Sequence, residues 1–203
     1  MNRKTKVHII YCHPSRESVT YKIKEAYIEG LTQKGVKYTI TDLYESDFNA
    51  DISENEYLRE NNNIYCPLSE DVIQEQKRIN NANILTFIFP LFWMDAPSKL
   101  VGYFSRVFTK GFKYDYDDGT TATMSIKDET NFLISAGSSY ETLNDDGKIK
   151  ALETIFIKDR MAGKTKKTNM YLFTETTYVK EKELNKLHKH LEKAEKIGKD
   201  TIS

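Results

Sequence analysis

Two cysteines, Cys12 and Cys66, are the only thiols in 203 residues, and they show no paired metal-ligand spacing. Neither a disulfide scaffold nor a thiolate metal site is expected, and two thiols in a chain of this size point to a reducing, cytoplasmic compartment. No apolar run approaches the roughly 20 residues needed to span a bilayer, so membrane insertion is not expected. Charge of one sign is not in excess: 30 Lys and Arg balance 30 Asp and Glu. That balance removes the electrostatic pull toward nucleic acid, and it argues against a small one-electron carrier that docks through an acidic surface. Internal repeats and low-complexity linkers are missing too. The basic start, Met1 to Lys6, runs into a strand-like segment instead of a long apolar stretch, so it is not expected to be a signal peptide.

What is present is a chain with 39% hydrophobic and 12% aromatic residues, enough for one well-buried core over residues 1–203 and short for two. Short apolar runs alternate with amphipathic stretches. Val7 to Tyr11, Val36 to Thr41, Ile84 to Phe89, Phe132 to Ile134 and Met170 to Phe173 read as strands. The third is almost wholly apolar, as expected of a strand buried on both faces. Five helices interleave with them, the first with Val19, Ile23, Ala26, Tyr27 and Leu31 at helical spacing. One helix is expected across Ile149 to Phe156, and residues 43–68, with Asn61, Asn62, Asn63 and Pro67 as breakers, read as a long loop. This alternation predicts an α/β fold: a five-stranded parallel sheet, order 2-1-3-4-5, with helices on both faces. Such sheets bind ligands beyond the carboxyl ends of their strands, which directs attention to three loops.

After strand one, Cys12-His13-Pro14-Ser15-Arg16-Glu17-Ser18-Val19-Thr20 places small hydroxyl residues at a helix start. Free amides and the helix dipole there favour a phosphate, although Ser18 also suits a plain N-cap. After strand three, two prolines bracket Leu91-Phe92-Trp93-Met94-Asp95-Ala96, which contains the only Trp of the chain. A flat indole and the amides of residues 91–94 suit a planar heterocycle; a hydrophobic plug under the sheet is the alternative. After strand four, Ser135-Ala136-Gly137-Ser138-Ser139-Tyr140 offers hydroxyls and a glycine that permits close approach. Each loop alone is ordinary. Three on one sheet edge are a site. His8 is expected to be a strand-face or core residue, and His188 and His190 to lie on a solvated helix face.

The run from Phe89 through Pro97, continuing through Leu100, Gly102, Phe104, Arg106-Val107-Phe108 and Gly111-Phe112-Lys113-Tyr114-Asp115-Tyr116, resembles the signature of the NAD(P)H dehydrogenase (quinone) family. His13 with Ser18-Val19-Thr20, Asp42-Leu43-Tyr44, Phe48-Asn49 and Glu75-Gln76-Lys77 also fit it. The resemblance implies a flavodoxin-like fold and a flavoenzyme using FMN or FAD. Hydride would pass from NAD(P)H through flavin N5 to a quinone-like acceptor by a ping-pong scheme. His13, Ser18, Val19 and Thr20 would hold the flavin phosphate. Pro90, Leu91, Phe92, Trp93 and Met94 would line the ring, and Ser135, Ala136, Gly137 and Ser138 would close its other side. Tyr114 and Tyr116 would reach the substrate pocket of a second subunit in a homodimer, and Tyr140 stands nearest to the family's catalytic tyrosine.

The sequence departs from the quinone reductase pattern in three places. Phe92 replaces a usual Gln, Ala136-Gly137-Ser138 replaces Thr-Gly-Gly, and no histidine follows the fourth strand before His188. The smaller bacterial branch is therefore the nearer model. The resemblance also allows a second role, as a regulatory flavoprotein subunit acting on a membrane potassium-efflux transporter.

Overall fold

A computed structural model describes residues 5–61, 66–115, 119, 121–177 and 184–201. Its centre is a parallel sheet ordered β2-β1-β3-β4-β5, built from β1 (Lys6–Tyr11), β2 (Lys37–Asp42), β3 (Ile84–Pro90), β4 (Glu129–Ser135) and β5 (Thr168–Phe173). Every residue of β3 is buried, as its apolar run requires. The register pairs Tyr11 with both Asp42 and Ile88, and Pro90 with Ser135, so the ends of the first, third and fourth strands are level at one edge.

Two cores flank the sheet. On one face Val7, Ile9 and Tyr11 pack with Ile23, Tyr27 and Leu31 of α1 (Val19–Gln33) and Ala194 and Ile197 of α7 (Leu184–Asp200). The two helices meet backbone to backbone. A Cβ on Gly198 would stand 2.2 Å from the Tyr27 carbonyl oxygen, and one on Gly30 would stand 2.1 Å from that of Glu195. On the other face Phe87, Phe89 and Phe132 pack with Ile79 of α3 (Glu70–Asn81), Phe104 of α4 (Ser98–Val107) and Phe156.

Two expectations are corrected here. Residues 43–68 are not all loop: α2 occupies Glu54–Glu60. Its start is a capping box, in which Ser53 Oγ accepts from the Glu56 amide and the Glu56 carboxylate accepts from the Ser53 amide. Asn62 and Asn63 lie outside the described residues. After β4 comes α5 (Tyr140–Asp145), which was not expected, and the helix expected across Ile149 to Phe156 is divided into α6 (Lys148–Leu152) and a π-helix over Glu153–Arg160. Gly147, in the left-handed region at φ 69°, separates α5 from α6.

Buried charges tie these parts together. Arg106 of α4 pairs with Glu56 at 2.7 Å and Asp71 at 2.6 Å and donates to the Asn49 carbonyl, pinning the 49–71 segment to the helix. Glu75 of α3 accepts from Thr41 of β2, Tyr103 of α4 and Arg78, and meets His8 Nε2 of β1 at 2.8 Å. Burial alone would raise the Glu75 carboxyl; the bonds from His8, Arg78 and Thr41 outweigh it and bring the pKa down to about 2. His8 is therefore a core residue, as its strand position suggests.

Candidate functional site

The carboxyl edge of the sheet carries a cleft of about 410 Å³, lined among others by His13, Ser18, Thr20, Leu91, Gly137 and Thr177. Its first wall is the start of α1. Ser18 is the N-cap, with its Oγ accepting from the Tyr21 amide at 3.0 Å, and the Lys22 amide is bonded to the Ser18 carbonyl. Val19 and Thr20 line the cleft from the first turn, where amides have no intrahelical partner, an arrangement that can receive an anion. Thr20 Oγ1 meets Ser135 Oγ at 2.7 Å, both buried, which ties the first wall to the third. His13 Nδ1 stands 3.0 Å from the Ser15 amide. The same nitrogen stands 3.1 Å from the Ser15 carbonyl, so its role as acceptor or donor follows the ring tautomer. Burial pushes the imidazole below its ordinary value against the pull of the Ser15 carbonyl, so the ring is neutral at physiological pH. Glu17 also lines the cleft and is the one carboxylate there among the described residues.

The second wall is the 90–95 segment. Leu91 N donates to the Ser135 carbonyl at 2.8 Å, and Phe92 and Asp95 exchange backbone bonds of 2.9 and 3.1 Å across a two-residue turn. Trp93 and Met94 occupy that turn with φ of 52° and 65°. Both central residues at positive φ is the geometry of a type I′ turn, which non-glycine residues adopt at a cost of order 1 kcal/mol each. The amides of residues 91 and 92 are therefore spent within the protein. Those of Trp93 and Met94 have no partner among the described residues. Trp93 is fully solvent-exposed, at 102% relative accessibility. It is no plug.

The third wall is Ser135 and Gly137, and a fourth comes from the segment after β5, which the sequence reading did not include. Thr176 donates through both its amide and its hydroxyl to the Ala136 carbonyl, and Glu175 N donates to that of Ser138. Thr176 and Thr177 line the cleft. A Cβ on Gly137 would meet Thr177 Oγ1 at 2.1 Å, so a larger residue there would have to displace the Thr177 hydroxyl. No motif marks these threonines. The rule that ligands gather at strand carboxyl ends applies to the fifth strand as well, and was the available signal.

Of the expected site residues, His13, Ser18, Val19, Thr20, Pro90, Leu91, Phe92, Ser135 and Gly137 line this cleft. Four do not. Ala136 is buried with its amide bonded to the Phe173 carbonyl, Ser138 is exposed, Met94 packs on the core, and Trp93 projects into solvent beside the opening. Tyr114 lies elsewhere: it lines a separate pocket with Phe104, Lys113 and Arg160, and its hydroxyl donates to Glu60. Tyr116 lies outside the described residues. Tyr140 is exposed at the start of α5. Of the C-terminal histidines, His188 is exposed and pairs with Glu192. His190 instead bonds the Thr174 carbonyl at 2.9 Å and packs edge-on against Phe173, so it is not on a purely solvated face. A larger cleft, of about 570 Å³, lies beside β2, but Asp42, Glu45, Asp47, Glu70 and Asp71 make it hostile to a phosphate.

Comparison with known proteins agrees with this geometry. The family model described as a flavodoxin-like fold matches residues 5–196. NAD(P)H dehydrogenase (quinone) 1 of Cavia porcellus is 38% identical over 122 residues, covering 53% of this chain and 44% of its own length. The chain thus spans less than half of that relative. An uncharacterized NAD(P)H oxidoreductase of Haemophilus influenzae is 32% identical over 150 residues, 73% of each chain. Among solved structures, the NAD(P)H:quinone oxidoreductase from Methanothermobacter marburgensis superposes with a TM-score of 0.89 at 33% identity, covering 98% of this chain and 97% of that one. An FMN-dependent NADH-azoreductase from Bacillus anthracis, solved with FMN, shares the fold at a TM-score of 0.71 and 18% identity. The chain belongs to the flavodoxin-like family that contains the NAD(P)H dehydrogenases (quinone).

Proposed function

We propose that this protein is a flavin-dependent oxidoreductase that moves two electrons from NAD(P)H to a quinone-like acceptor. The observation that carries the reading is the convergence of helix-start amides, the hydroxyls of Ser18 and Thr20, and a glycine-lined wall on one cleft at the sheet edge. At about 410 Å³ the cleft is of the size that encloses a ring system with a short tail, and its parts fit FMN. The Val19 and Thr20 amides are donors for a phosphate, joined by the His13 ring in its Nε2–H tautomer and by the Ser18 hydroxyl once it leaves the Ser15 carbonyl. The unpartnered Trp93 and Met94 amides are donors for a ring heteroatom, and Gly137 admits the ring edge without a side chain in the way.

When bound, the flavin supplies hydride acceptance at N5 and its return to the acceptor. The protein residues bind, orient and shield. Leu91 and Phe92, held by backbone bonds, form a rigid wall, and the buried Thr20–Ser135 pair fixes the spacing between phosphate and ring ends. Neutral His13 donates without adding charge. Tyr114, which lines a pocket away from its own cleft, is assigned to the substrate pocket of a second copy in a homodimer.

The test begins with the visible spectrum of the purified protein, followed by acid release and mass measurement of the cofactor. Initial rates with NADH or NADPH against menadione should then give parallel double-reciprocal plots, as a shared pocket requires. A colourless protein that takes up neither FMN nor FAD ends the proposal; intersecting plots end the ping-pong scheme alone.

A further inference from the structure

β5 and the segment that follows it are laced to α7 by three side chains about a turn apart. β5 is an edge strand, and such strands leave main-chain groups without a strand partner. Lys193 Nζ donates to the Leu172 carbonyl at 2.9 Å, and His190 Nε2 stands 2.9 Å from the Thr174 carbonyl. Lys186 pairs with the Glu175 carboxylate at 2.6 Å. Residues 186, 190 and 193 share one helix face. A carbonyl oxygen only accepts, so the His190 contact is an Nε2–H donation. The ring also packs edge-on against Phe173, with centroids 5.7 Å apart.

The chain held in this way is strained. Glu175 is not glycine, yet its φ is 58°, in the left-handed region. Such a backbone persists where its surroundings over-determine it. Here they are α7 on one side and the third wall of the cleft on the other. Glu175 N donates to the Ser138 carbonyl at 3.0 Å. Thr176 donates to the Ala136 carbonyl through its amide at 3.0 Å and its hydroxyl at 3.1 Å. Thr176 and Thr177 then line the cleft with Gly137. Of the three anchors on α7, the Lys186 pair is solvent-exposed and holds weakly, and Lys193 bonds the strand itself. His190 is the half-buried anchor next to the strained residue.

We propose that His190 is a positioning residue for the ring end of the flavin cleft. Its bond to the Thr174 carbonyl clamps the strained turn from behind, and the turn sets where Thr176 and Thr177 stand. Without the clamp the backbone at Glu175 relaxes out of the left-handed region, and the two threonines draw away from Gly137. His190 touches no ligand; it acts through the backbone of residues 174–177. The inference rests on the flavin reading above.

The test is His190→Phe, which keeps a ring against Phe173 and removes the donor. Protein stripped of cofactor is titrated with FMN and, separately, with riboflavin, by quenching of flavin fluorescence. Both dissociation constants should rise by the same factor, about tenfold, the order of one hydrogen bond. The factors match because the threonines stand beside Gly137, at the ring end, and riboflavin lacks only the phosphate. His190→Gln, whose amide nitrogen can take the place of Nε2, should bind both within about threefold of wild type. Glu175→Gly placed on His190→Phe should restore most of the lost affinity, since glycine holds the left-handed backbone without a clamp. A histidine that served only the stability of the fold would not be rescued there, because the Thr174 carbonyl stays unpaired. Should His190→Phe fail to fold, His190→Leu takes its place in the same comparisons. Unchanged affinity without the donor, a loss confined to FMN, no recovery in His190→Gln, or no rescue by Glu175→Gly would each overturn the His190 assignment and leave the flavin reading intact. Wild-type protein that binds neither flavin overturns both.

Discussion

At the scale of single residues, the cleft depends on what is left out as much as on what is present. Gly137 faces Thr177 across a gap that no Cβ can share with the Thr177 hydroxyl in its present rotamer. Gly137→Ala is expected to force the Thr177 hydroxyl into another rotamer inside the cleft, lowering FMN affinity at least tenfold while the melting temperature changes little. The double variant Gly137→Ala/Thr177→Ala should recover most of the loss, because once Oγ1 is removed the next atom, Thr177 Cβ, stands at 3.4 Å. Titration of the two variants with FMN checks this, and a double variant no better than the single one rules it out. Ser18, Thr20 and Gly137 were legible in the sequence because their residue types carry a mechanism. Thr177 was not, because its role comes from a contact 40 residues distant, with Gly137, that no local pattern encodes.

At the scale of elements, α1 and α7 meet backbone to backbone. The glycines at 30 and 198 let the two backbones touch, so a methyl group at either place must push the helices apart. Gly198→Ala should destabilise the protein by about 1–3 kcal/mol or more, through overpacking, although alanine is the better helix former. Chemical denaturation measures it, and an unchanged or raised midpoint would contradict the close approach. The strands and α1 could be read from their apolar periods. α2 was missed because Glu54–Glu60 has no apolar stripe; its Ser53-x-x-Glu56 capping box was the overlooked sign. The passage from α6 to the π-helix was missed because Ile149, Leu152, Ile155 and Phe156 keep a helical spacing across it.

At the scale of the whole molecule, the Glu75 cluster joins β1, β2, α3 and α4 under one buried carboxylate. Its folded pKa, about 2, lies below the ordinary value near 4.5. The sign follows: the folded state releases the proton more readily, so this stabilisation is complete above pH 4.5 and is lost as pH falls toward 2. A difference of that size is worth on the order of 3 kcal/mol at neutral pH. Glu75→Gln should therefore lower stability at pH 7 and flatten its decline between pH 4.5 and 2, read from denaturant midpoints across that range. Parallel pH profiles for the two proteins would show that the cluster is not the source of acid sensitivity. The sheet order was deducible from the alternation of elements. This cluster was not: its partners are up to 67 residues apart, and His8 in a strand gives no hint of which helix will meet it.

The tight turn that holds Trp93 clear of the surface also makes the protein its own optical probe. The only indole in the chain stands in water at the lip of the cleft, so the intrinsic emission should be red-shifted, open to quenching by iodide, and almost indifferent to core unfolding. A yellow ring arriving a few ångströms away would drain that emission by energy transfer, which lets cofactor uptake be timed in a stopped-flow cell without any attached dye.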